Sequence, residues 1–197
     1  MSWIKTIDEE QARGGLLQCY NAATRAGTVD DIIKVQSLDS GALLSHLNLY
    51  KSVVLESGPL SRARREMIGT VVSAANRCRY CMVHHGEALR KITENMRLVL
   101  ALIVDYDAAP LQENDRAMIE YAVQLTEEPS SVVEEDIDRL REVGFSDKEV
   151  LSITQSVAYF NFVNRMASGL GVELERRWFE EGPWREIVDS ALQRSSF

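Results

Sequence analysis

The chain has 197 residues, with 30 acidic against 22 basic side chains, a formal charge of −8, and 45% hydrophobic and 26% charged residues. These are ordinary globular proportions, enough for one domain with a sizeable core; the acidic balance excludes nonspecific attachment to nucleic acid or an anionic membrane surface. The opening MSWIKTIDEE lacks the apolar core of a signal peptide and the longest aliphatic run, Leu98 to Val104, is far too short to span a bilayer, so a soluble, cytoplasmic protein is expected.

Almost every segment repeats apolar residues with the helical period, and none alternates with β-branched enrichment, so the fold class is all-α. A first helix is predicted over Glu9–Ala26, ending at Gly27, with a mixed connection over 28–39. A second spans Gly41–Ser57 and is stopped by Gly58-Pro59. Ser61 caps a third, which runs to Ala75 and ends at Asn76, a residue that tolerates the left-handed conformation. A fourth covers Cys78–Lys91 and a fifth Glu94–Val104, followed by the loop DYDAAPLQ. Glu113–Thr126 forms the next helix, with acidic residues in its first turn and Pro129 at its end. Ser131-x-x-Glu134 and Ser146-x-x-Glu149 have the form of capping boxes, opening helices that reach Val143 and Gly169, with Gly144 between them. The tail carries a short helix after Pro183, and Trp178, Phe179 and Trp184 predict that it docks. No low-complexity linker divides the chain, which reads as a single all-helical domain over 1–197. Within it, 1–58 is an N-terminal helical extension and 59–197 the core and tail.

Three cysteines do not make a disulfide framework in a chain of this size, and Cys78-x-x-Cys81 reads as redox-active or metal-binding. Cys19, among apolar neighbours in GLLQCYNAA, reads as a small buried hydrophobe. On a helix turning about 100° per residue, Cys78 and His85 point nearly the same way, with Cys81 about 60° from Cys78 and His85 one turn beyond Cys81. Glu66 would stand about 18 Å from Cys78 on one unbroken helix, so its participation requires a chain reversal near Asn76-Arg77. Glu66 lies in line with Gly69, Thr70 and Ser73, opposite the apolar Ile68, Val71, Val72 and Ala75; that small-residue groove lets another helix approach and bury the carboxylate.

A thiol at a helix N-terminus beside Arg77, Arg79 and a histidine has a lowered pKa, and a second thiol three residues away can capture a sulfenic acid as a disulfide. The same residues could instead form a zinc site, with Cys78, Cys81 and His85 as ligands and Glu66 or water as the fourth. His84 is expected to be solvated and His46 to be a satisfied helix histidine.

The pattern E-x11-C-x2-C-x3-H from Glu66 to His85 resembles the active-site signature of the AhpD-like alkylhydroperoxidases within the carboxymuconolactone decarboxylase superfamily. Residues 49–89 and SVAYFNFVNRMASGLGVELE are similar to its branch of peroxidase-related proteins. The resemblance implies an all-helical, homo-oligomeric thiol-dependent hydroperoxide reductase. Cys81 would attack the hydroperoxide, Cys78 would resolve the sulfenic acid and meet the reductant, and Glu66 with His85 would relay protons. It implies no bound cofactor or metal and an external dithiol reductant, which in the family can be a lipoylated protein, with a peroxiredoxin as a further partner. Asn161, Asn164 and Arg165 resemble the branch's C-terminal pattern, read either as substrate contacts or as interhelical hydrogen bonds. The sequence departs from the best-characterised members at Tyr80, where they carry a histidine; a phenol with a pKa of about 10 relays protons less readily at neutral pH. Two other readings stay open at this level: a lactone decarboxylase, and a metal-stabilised helical oligomer without enzymatic activity.

Overall fold

The computed structural model describes residues 2–24 and 27–180, together with Trp184 and Ile187. Its helices are α1 (Gly14–Ala23), α2 (Asp31–Lys34), α3 (Ser40–Tyr50), α4 (Arg62–Ala75), α5 (Arg79–Thr93), α6 (Met96–Val104), α7 (Glu113–Glu127), α8 (Glu134–Glu142), α9 (Asp147–Gly169) and α10 (Arg177–Glu180). No β-strand occurs among the described residues, in agreement with the apolar period. No helix among them is long and apolar enough to cross a membrane.

Helix α4 is the axis of the fold. It packs against α5, α6, α7 and α9 at once, and every residue from Arg65 to Ser73 is buried. A helix enclosed on all sides needs a close-approach face as well as an apolar one, and both predicted stripes serve. Ile68, Val71 and Val72 fill the aliphatic core, while Gly69 lets the Phe160 ring of α9 come so close that an added Cβ would lie 2.8 Å from Cζ. Thr70 and Ser73 satisfy their hydroxyls on the carbonyls of Glu66 (2.7 Å) and Gly69 (2.6 Å), within the helix itself.

Ser61 caps α4 as predicted, accepting from the Arg64 amide. At the other end it is Arg77, not Asn76, that takes the left-handed conformation (φ 53°), while Asn76 stays right-handed. The amides of Arg77 and Cys78 bond back to Ala74 and Ser73 in a Schellman arrangement. Asn76 instead uses its side chain, donating to the Val72 carbonyl and to Asn161. Two residues thereby reverse the chain and start α5.

The N-terminal helices have a small core of their own, built from Leu16, Cys19, Tyr20, Val29, Ile33 and Leu43. Cys19 is buried there, as read from its apolar neighbours. Arg65 ties the segment that enters α4 to that helix: its buried guanidinium donates to the carbonyls of Val54, Glu56 and Leu60. The predicted helix over Glu9–Ala26 is interrupted. A single 3-10 turn, Glu9–Gln11, precedes extended residues Ala12 and Arg13, and α1 opens at Gly14 with φ +55°. Two adjacent glycines lower helix propensity at that point, and burial of Ala12 fixes the break. The 28–39 connection contains α2, and α3 passes into a π turn over Lys51–Leu55 before Gly58-Pro59.

Of the two predicted capping boxes, Ser146 and Glu149 form theirs. Ser131 does not: its hydroxyl bonds the Glu128 carbonyl within the 3-10 turn that begins at Pro129, and α8 starts later, with the Asp136 carboxylate accepting from the Val133 amide. In the tail, Trp178 packs beside His84, and Trp184 is buried against Gly86 with its Nε1 on Glu87 Oε2 (3.2 Å). The Phe179 side chain and the predicted helix after Pro183 lie outside the described residues.

In an open helix Gly69→Ala would gain about 1 kcal/mol. Against the Phe160 ring it is expected to lose about 1–3 kcal/mol through overpacking, read as a lower urea midpoint at unchanged m-value.

Candidate active site

The reversal at Asn76-Arg77 lays α5 antiparallel to α4 and brings Glu66 to His85. Glu66 Oε2 accepts from His85 Nδ1 at 2.8 Å, and Oε1 accepts from both Nε (2.8 Å) and Nη2 (2.6 Å) of Arg62, one turn earlier on α4. The carboxylate is fully buried. Burial alone would raise its pKa, but the opposing pull of His85 and Arg62 prevails and holds it below the ordinary value of 4.5. Because an ionised carboxylate only accepts, His85 Nδ1 carries a proton, which leaves Nε2 as the basic nitrogen of the neutral ring. The edge of the His85 ring meets Phe160 at 4.6 Å between centroids, so the aromatic that Gly69 admits also fixes the imidazole plane.

Cys78 is the N-cap residue of α5 and Cys81 lies in its first turn; both are reduced and buried. The neighbouring Cys81 thiol, against the opposing effect of burial, lowers the Cys78 pKa to about 7, with Ser168 and His85 contributing in the same direction. The same interaction raises Cys81 well above the ordinary thiol value; burial adds to the rise, and Asn164 partly offsets it. The two thiols titrate together, and their interaction favours the Cys78 thiolate over that of Cys81.

Tyr80 is not aimed into a proton relay. Its hydroxyl donates to Glu175 Oε1 (2.8 Å), and its pKa is pushed well above 10 by burial and by the Glu175 and Asp30 charges. His84, expected to be solvated, is not: Nε2 bonds Glu175 Oε2 at 3.1 Å and the ring stacks on Tyr80 at 4.3 Å. Glu175 also accepts from the Trp178 indole (2.9 Å) and the Asp31 amide (3.0 Å). Burial opposes its ionisation, but the His84 bond and the other donors outweigh that and depress its pKa strongly. Asn161 and Asn164 make interhelical hydrogen bonds, Asn161 to Asn76 and Thr126, Asn164 to Asn76 and Ser73; Arg165 braces Asn161. His46 is satisfied as expected, between Gln36 (3.0 Å) and Tyr159 (2.9 Å), and burial lowers its pKa to about 4, so it is neutral.

A cleft of about 250 Å³ gathers these groups. Cys81, Glu66, His85, Arg62, Tyr80 and His84 line one side; α1, α2 and α3, through Ala23, Ile32, Leu44 and Leu47, line the other. Cys78 is not among the lining residues. Sequence reasoning did not single out Arg62, although its i, i+4 spacing to Glu66 was a usable signal. It also missed Ser168 and Glu175, which no local pattern marks because they meet α5 only in the fold. Among the described residues no group of three or more His, Cys, Asp and Glu side chains is disposed to hold a metal ion.

Two measurements probe this electrostatic arrangement. Ultraviolet thiolate absorbance should titrate with a first apparent pKa of about 7. Cys81→Ala, which removes the neighbouring thiol, should move that step upward. Glu66 has a lowered native pKa, so its contribution to stability is complete above the ordinary carboxylate value of 4.5 and is lost as the pH falls through the lower folded value. Glu66→Gln should therefore unfold with a shallower acid limb, measured as urea midpoint against pH.

The sequence profile of the carboxymuconolactone decarboxylase family matches residues 42–111, a span that includes all four predicted site residues. No match was found among curated proteins. Among solved structures, the alkylhydroperoxidase AhpD core of an uncharacterized peroxidase-related protein from Ralstonia eutropha superposes with a TM-score of 0.83 at 27% identity, over 90% of this chain and 94% of the other. An uncharacterized peroxidase-related protein from a Silicibacter species gives a TM-score of 0.76 at 30% identity, over 86% of each chain. A debrominase shares the fold at 18% identity, with a TM-score of 0.77 over 94% of this chain and 96% of its own. The helical architecture, the matched profile and these relatives together place the chain in the AhpD-like alkylhydroperoxidase and carboxymuconolactone decarboxylase superfamily.

Proposed function

We propose that the protein is a thiol-dependent hydroperoxide reductase that acts through the Cys78–Cys81 pair. The observation that carries this reading is the placement of two reduced, buried thiols at the start of α5, beside a buried carboxylate–imidazole pair that opens on one cleft. Lactone decarboxylation requires no such thiol pair.

Cys81 is the attacking thiol, because it lines the cleft and Cys78 does not. Its proton leaves toward the Cys78 sulfur or toward His85, one helical turn away, whose Nδ1–H is held by Glu66 so that Nε2 is the accepting nitrogen. The thiolate sulfur attacks the terminal peroxide oxygen, the O–O bond breaks, and an alcohol and a Cys81 sulfenic acid form. Cys78 then attacks the Cys81 sulfur, hydroxide leaves and takes a proton to become water, and the disulfide remains. An external dithiol, such as a lipoylated protein, returns the two electrons by thiol–disulfide exchange. The relatives described as peroxidase-related, at 27% and 30% identity, support this reading.

Stoichiometric organic hydroperoxide should remove both free thiols of the reduced pair, and persistence of two free thiols refutes the proposal. Cys81→Ser should abolish peroxide consumption, and Cys78→Ser should leave a sulfenic acid that a 1,3-diketone probe labels. Glu66→Gln should slow consumption by about 10²- to 10⁴-fold.

A further inference from the structure

Two carboxylate–imidazole pairs, not one, face the cleft. His85 bonds Glu66 through Nδ1 at 2.8 Å, and His84, the preceding residue of α5, bonds Glu175 through Nε2 at 3.1 Å. Both histidines line the cleft together with Cys81. Relative to Cys81 they stand at i+3 and i+4, about 60° to one side and about 40° to the other, so the two imidazoles straddle the thiol one turn further along the helix.

The second pair is built, not incidental. Glu175 is largely buried and is held at Oε1 by the Tyr80 hydroxyl and the Asp31 amide, and at Oε2 by the Trp178 indole. The His84 ring is clamped between Tyr80, stacked at 4.3 Å, and Trp178 at 5.0 Å. Of the neighbouring charges, Arg177 pairs with Asp30 and also reaches Glu175 Oε2 at 3.8 Å. A carboxylate so held accepts only, so His84 Nε2 carries a proton, and Nδ1 is the nitrogen that exchanges one with a bound molecule. The pair stands at the wall of the proposed peroxide site and shares no member with the Glu66–His85 pair.

Resting on the peroxidase reading, we infer that His84 is the general acid of the reduction, protonating the alkoxide that leaves when the O–O bond breaks, and that Glu175 is its positioning residue. The reaction needs two opposite proton movements at one sulfur: the thiol must lose a proton as the sulfur attacks, and the leaving oxygen must gain one. With two imidazoles the tasks separate. His85 accepts the Cys81 proton, and imidazolium His84 gives its Nδ1 proton to RO⁻, releasing ROH. When the Cys78 thiolate then displaces hydroxide from the Cys81 sulfenic acid, protonated His85 converts it to water, and a proton from solvent restores His84. The Cys81 proton and one from solvent thus match the two leaving groups, and the two electrons come from the forming disulfide.

Leaving-group dependence tests the assignment. Reduced protein and its His84→Gln, His84→Asn and Glu175→Gln variants are reacted with tert-butyl hydroperoxide, whose alkoxide leaves poorly without a proton, and with perbenzoic acid, whose carboxylate needs none. Gln and Asn keep a donor for Glu175, so the tail contact has a partner in both. The His84 variants should lose about 10²- to 10⁴-fold on the alkyl hydroperoxide and change little on the peracid, with Glu175→Gln following the same pattern less severely. Equal losses on both substrates would make His84 structural and overturn the assignment, as would no loss on either. If the unsubstituted protein oxidises its thiol pair with neither reagent, it is the peroxidase reading itself that fails.

Discussion

The buried Glu66 carboxylate is the constraint on which the rest of the site depends. An ionised group with no exposed surface persists only where its charge is matched and its lone pairs are filled. Here Arg62 fills one oxygen and His85 the other. That requirement fixes three things at once: α5 must return along α4, the His85 ring must present Nδ1 to the carboxylate, and α9 must close over the top through Phe160 and Gly69. The Schellman reversal at Arg77 makes the return possible within two residues. The same reversal places Cys78 at the N-cap of α5, where helix geometry favours a thiolate.

The thiol pair shows how local geometry and burial divide one property between two residues. Both cysteines are buried among the same helices, yet their acidities move in opposite directions because each thiol acts on the other. The acidic member stands away from the cleft and the less acidic member lines it. Acidity and access thus favour different sulfurs.

The two ends of the chain complete the cleft. Helices α1 to α3 supply an apolar wall, and Glu175 in the C-terminal segment ties Tyr80 and His84 of α5 to the Asp31 amide at the start of α2. Tyr80 is thereby both a wall of the cleft and a ligand of Glu175. Its hydroxyl proton is held by a carboxylate and is not available for exchange with the thiols.

The sequence by itself determined whatever is carried by spacing along one helix or by a strong local stop. The all-α class, the cap at Ser61, the Ser146–Glu149 box, the shared face of Cys81 and His85, and the reversal required for Glu66 follow from a fixed 3.6-residue period and from backbone preferences that neighbours do not override; Cys78, predicted on that face, is instead the extended N-cap of α5. It failed where competing local options are close in energy. Ser131 took a carbonyl instead of a helix end, Arg77 took the left-handed position in place of Asn76, and the glycines at 14 and 15 broke a helix that periodicity alone would continue. Only the tertiary structure decided what depends on contacts between residues distant in sequence. Glu175 meets Tyr80 and His84 across more than 90 residues, Asn164 reaches Ser73 across 91, and the cleft exists because the first helices fold over the α4–α5 hairpin. Such contacts leave no period to read, because the packing of whole helices brings them together.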